Sequence, residues 1–67
     1  MRSFRPESFA VLRAVSDRPI HHLSLNSQQR REIGQLWLGR LVRLRRGDVW
    51  EASDFGRQWL KTTERMH

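Results

Sequence analysis

From Pro6 onward apolar residues recur at helical intervals, with Phe9, Leu12 and Val15, joined by Ser16, on one face at about 100° per residue. Pro6 suits the first turn of a helix because its φ is already fixed there. Asp17-Arg18-Pro19 ends that helix, since the residue before a proline is pushed out of the helical region. A connecting segment then runs to about Asn26, from which Ile20, Leu23 and Leu25 are expected to plug the core. A second helix is predicted from about Ser27 to Leu41, with Asn26-Ser27 supplying side-chain oxygens for the free N–H groups of its first turn. Its stripe is Ile33, Leu36, Trp37 and Leu41, and Gln28, Arg31, Glu32, Gln35 and Gly39 take the opposite side.

The period then drops to two. Val42-Arg43-Leu44-Arg45 alternates apolar with basic, and Val49-Trp50-Glu51-Ala52 resumes after Arg46-Gly47-Asp48, which predicts a hairpin. A three-residue loop pairs Leu44 with Trp50 and Val42 with Ala52 on the inner face and leaves Arg43 opposite Glu51 outside, whereas a two-residue loop mixes the faces. Ser53 or Asp54 then caps a third helix that repeats Phe55, Trp59, Thr63 and Met66, with Gly56 allowing close packing against a neighbour and a frayed tail after Glu64. The expected fold class is mainly α with a β-hairpin, in the order helix, helix, hairpin, helix, and residues 1–67 read as one domain.

Composition narrows the function. With 67 residues the chain has no room for both a core and a deep, water-excluding active site, and it has no cysteine for a disulfide or thiolate metal site. Its apolar runs are too short for a bilayer, and nothing resembles a signal peptide, so a soluble cytoplasmic protein is expected, without a membrane partner. Thirteen Lys+Arg against seven Asp+Glu give a net charge of +6, and arginine supplies twelve of the thirteen. Such a surplus points to an anionic partner, with solubility as the plainer explanation.

The stretch from Leu41-Val42 through Arg46-Gly47-Asp48-Val49-Trp50-Glu51-Ala52-Ser53-Asp54-Phe55-Gly56-Arg57-Gln58-Trp59-Leu60 resembles the winged-helix DNA-binding domains of prokaryotic, including phage-type, regulators. Those families follow a recognition helix with a Leu-Val strand, a Gly-centred wing, an aromatic return strand and a Ser/Thr-Asp-x-Gly-Arg helix start. The likeness covers residues 26–60. It departs in the short span from Pro19 to Val42, and at Arg40, where a glycine commonly precedes Leu-Val and Gly39 lies one position early. The resemblance implies a winged-helix-like domain that regulates transcription by binding duplex DNA.

Candidate contacts follow from residue type. Gln28, Arg31 and Gln35 share a helix side and carry donors that suit adenine and guanine edges, against the plainer reading of a solvated face. Arg43, Arg45 and Arg46 place guanidinium groups on the hairpin for phosphate contact, against ordinary edge-strand charge. Trp37, Trp50 and Trp59 occupy inward positions and are expected in the core rather than as stacking platforms, with Trp50, near the hairpin, the first candidate for an exception. His21-His22 lacks the partners of a metal site, and no nucleophile elbow, phosphate-binding loop or close carboxylate pair is present, so no metal, no cofactor and no catalysis is expected. The rival function is a small inhibitor or adaptor whose basic surface occupies an acidic site on a host or partner protein. Its expected mark is an exposed apolar patch, including Leu38 and Val11, which a homodimer would also bury.

Overall fold

Helices form where the apolar period is near 3.6 and strands where it is two, and both rules hold along this chain. The computed structural model describes residues 6–65. They form α1 (Pro6–Asp17), β1 (Ile20–His21), a single 3-10 turn (His22–Ser24), α2 (Ser27–Leu38), β2 (Val42–Arg45), β3 (Val49–Ala52) and α3 (Asp54–Arg65). The fold is mainly helical with a β-hairpin, as the pattern predicts. The expected Met66 position of the third helix lies outside the described residues.

The hairpin has the expected register: Val42 opposite Ala52, Arg43 opposite Glu51, Leu44 opposite Trp50 and Arg45 opposite Val49, closed by Arg46-Gly47-Asp48. Gly47 at φ 85° and Asp48 at φ 58° supply the left-handed conformations of that loop. A third strand is added within the expected connecting segment. In the sheet order β1-β3-β2, Ile20 pairs with Trp50 and His21 with Val49, and the His22 N–H donates to the Asp48 carbonyl at 2.8 Å. Two residues are too few for alternation to be seen in a sequence.

The core joins every major element: Val11, Leu12 and Val15 of α1, Ile33 and Leu36 of α2, Val42 of β2, Trp50 and Ala52 of β3, and Leu60 of α3 are buried, with Leu25 and Leu41 from the connections. Phe9, Ile20 and Trp59 pack at its margin, and the Phe9 and Trp59 rings stack with centroids 5.0 Å apart.

Several side chains depart from their expected places. Val11 is buried, because α1 packs on both α2 and β3 and so uses a wider face than one stripe. Glu32 is also buried, accepting a 2.5 Å hydrogen bond from the Ser8 hydroxyl across the α1–α2 contact. That packing turns the buried side of α2 toward Glu32 and leaves Trp37 outside, 54% exposed, so the tryptophan that escapes the core is Trp37 and not Trp50, which is buried on the central strand. Leu23 projects from the 3-10 turn, Phe55 from the first turn of α3 and Leu44 from an edge strand; all three are exposed, although Leu44 shares its sheet face with Trp50.

The second helix stops at Leu38, three residues short of Leu41. Arg40 adopts φ 61°, its N–H donates to the Trp37 carbonyl, and the Leu41 N–H reaches back to Leu36 at 2.9 Å. These are the paired bonds of a Schellman cap, with buried Leu41 against buried Leu36 and an arginine where glycine is usual.

Ser53 fastens the next junction. Its hydroxyl donates to the Arg40 carbonyl at 2.7 Å and accepts the Gly56 N–H at 2.9 Å, so Ser53, not Asp54, caps α3. The absence of a side chain at Gly56 is required there, since a Cβ would lie 1.9 Å from the Leu41 carbonyl oxygen.

Candidate nucleic-acid interface

The surface of interest is built by α2, its Schellman cap and the hairpin. Asn26 starts α2 with a full capping box: its side chain accepts from the Gln29 N–H, and the Gln29 side chain accepts from the Asn26 N–H, both at 2.8 Å. With the helix held at that end and packed through Ile33 and Leu36, its opposite side faces solvent. Arg31 and Gln35 lie there one turn apart, both exposed. Gln28 is exposed too, one turn before Arg31, and it also lines the cleft toward α1, beside Glu7 and Glu32.

The hairpin arginines divide as well. Arg43 and Arg45 lie on the outer face of the sheet, where they converge on the Glu51 carboxylate at 2.6 Å and 3.4 Å. Glu51 is thereby only 7% exposed, although it lies on the side of the sheet away from the core. Both guanidinium groups remain largely open to solvent and retain N–H groups that Glu51 does not use. Arg46, in the loop, is exposed and has no ion pair among the described residues.

A shallow groove joins helix to hairpin, lined by Trp37, Leu38, Arg40, Val42, Arg43 and Ser53. Trp37 is 54% and Leu38 60% exposed, so an apolar pair stands between the polar helix face and the arginines. Of the apolar patch expected at Leu38 and Val11, Leu38 is exposed and Val11 is not. Arg40 was missing from the sequence-derived candidates; the displaced glycine before Leu41-Val42 was its only signal.

The tandem histidines serve the fold. His21 accepts the Leu23 N–H at Nδ1, 3.1 Å away, and His22 accepts the Trp50 indole N–H at Nδ1, 3.0 Å away. Among the described residues no helix is long and apolar enough to cross a membrane.

Comparisons of the chain with protein-family models, with curated proteins and with solved structures give no match.

Proposed function

We propose that the protein is a small non-catalytic DNA-binding protein of winged-helix type that acts in the cytoplasm as a transcriptional regulator. The observation that carries this reading is the groove at the end of α2, which joins Leu38 and Arg40 to Arg43 of the hairpin, with Arg31 and Gln35 exposed on the open side of the same helix and Arg45 and Arg46 exposed on the same hairpin. A helix followed after three residues by a two-stranded ribbon suits a groove and its flanking phosphates. The span from Pro19 to Val42 holds one 3-10 turn and one helix in place of two helices, so α2 takes the recognition role alone.

The test is a titration against duplex DNA at several salt concentrations. Arg31→Ala and Gln35→Ala should each reduce preference among sequences, by about 1–3 kcal/mol where a bidentate base contact is lost. Failure of the wild-type protein to bind duplex DNA at low salt would overturn the reading.

A second reading is favoured by one observation, the exposure of Trp37 and Leu38 beside Arg40 and Arg43. Tryptophan and arginine are the residues that dominate protein interfaces, so an acidic segment of a partner protein is the alternative occupant of this groove. Under that reading, recovery of one stoichiometric partner should be lost in Trp37→Ala, and DNA should not compete for it.

A further inference from the structure

Three cations of α3 lie outside the surface described above. Arg57, Lys61 and Arg65 are four residues apart, so at about 100° per residue they fall within roughly 80° on one stripe. The other side of the helix is committed to the fold, through Gly56 against Leu41, buried Leu60, and Trp59 stacked on Phe9. The stripe therefore faces solvent and cannot rotate inward.

All three side chains are exposed, and none has an ion pair among the described residues. Glu64, the carboxylate nearest to Lys61 along the helix, is turned to Arg13 of α1 at 2.9 Å. Asp54 lines the same shallow depression, with Gln58 and Thr62, one turn before Arg57 and without an ion pair to it. Like charges four residues apart weaken a helix, so three cations against one unpaired carboxylate work against the element that carries them. The hairpin is the converse case: two of its three arginines are already engaged by Glu51.

We propose that Arg57, Lys61 and Arg65 form a phosphate-binding surface for duplex DNA, larger in its electrostatic contribution than the hairpin. The inference rests on the DNA-binding reading. From Arg57 to Arg65 the stripe extends about 12 Å at ~1.5 Å per residue, which spans the axial rise of about three to four phosphates on one strand at ~3.4 Å each. The contact is to backbone, so it adds affinity on all sequences alike.

The test measures affinity for a mixed-sequence duplex of about 20 base pairs over a salt series. It compares the full chain with Arg57→Ala/Lys61→Ala/Arg65→Ala and with Arg43→Ala/Arg45→Ala/Arg46→Ala, which remove equal charge. The α3 variant should make the slope of log affinity against log salt shallower by up to about 2.7, at ~0.9 per phosphate contact, and the hairpin variant by less. Alanine is a strong helix former, so circular dichroism should show α3 intact, and Arg57→Lys/Arg65→Lys should keep the wild-type slope. A wild-type slope in the α3 variant overturns this inference and leaves the DNA-binding reading standing. Equal losses in the two variants also overturn it, because they report net charge and not placement. No binding by the wild-type chain overturns both.

Discussion

Trp50 and Trp37 both lie at positions that the period of their elements marks as inward, and they end in opposite environments. Trp50 is on the central strand, flanked by β1 and β2 and packed under α1, and it is 8% exposed. Its indole N–H is satisfied by His22, whose ring lies 6.2 Å away. Trp37 is near the end of α2, where the chain turns at Gly39 and the start of β2 and Ser53 share its groove without covering it. Periodicity reports which way a side chain points, and burial depends on how many elements arrive there. In a small domain the ends of helices are where those two part company.

The difference is broken most directly at Trp50. Trp50→Ala should cost about 3–5 kcal/mol, the usual range for a buried aromatic, against total stabilities that are low for small domains; thermal melting should find the variant largely unfolded. The joint between the two regions is next. Gly56→Ala forces a methyl into the Leu41 carbonyl and should cost about 3 kcal/mol, read as a lower urea midpoint with α3 partly displaced. A neutral effect there would show that Leu41 and the Schellman cap move freely.

Smaller changes sharpen the contrast. Arg40→Gly removes a side chain from the left-handed region and should stabilise the fold by about 1 kcal/mol in urea unfolding, while weakening whatever the groove binds. Trp37→Ala should leave the melting temperature nearly unchanged, within about 0.5 kcal/mol, as for other exposed positions. A loss near that of Trp50→Ala would show that the groove belongs to the core after all.

What could be read from the sequence was local. The Pro6 start and Pro19 stop of α1, the Asn26 cap and the hairpin register all depend on neighbours within a few residues or on the two-residue alternation of strands. The remainder depends on partners far along the chain. Glu32 looks like a surface residue until Ser8, on α1, meets it. Leu41 reads as the end of a stripe, and is instead the third residue past the end of a helix that has already turned. Of the six candidate DNA contacts, exposure was legible, but their neighbours were not: Gln28 also lines the cleft toward α1, and Glu51 draws in Arg43 and Arg45. The stripe on α3 was not legible, because the apolar period of a helix says nothing of whether charges on its other face are paired.

The two edges of the central strand are fastened in different ways. On one side β2 is joined to β3 by a three-residue loop, so their pairing closes a short stretch of chain; on the other, Ile20 must find Trp50 across a segment that includes all of α2. Closing the longer loop has the greater entropic cost, and only two residues pair to offset it. The β1 seam should therefore open on its own, before global unfolding, carrying the His22–Trp50 hydrogen bond with it. Amide hydrogen exchange at His22 should run faster than in the β2–β3 ladder, and acrylamide should reach Trp50 at denaturant concentrations that leave the helices intact.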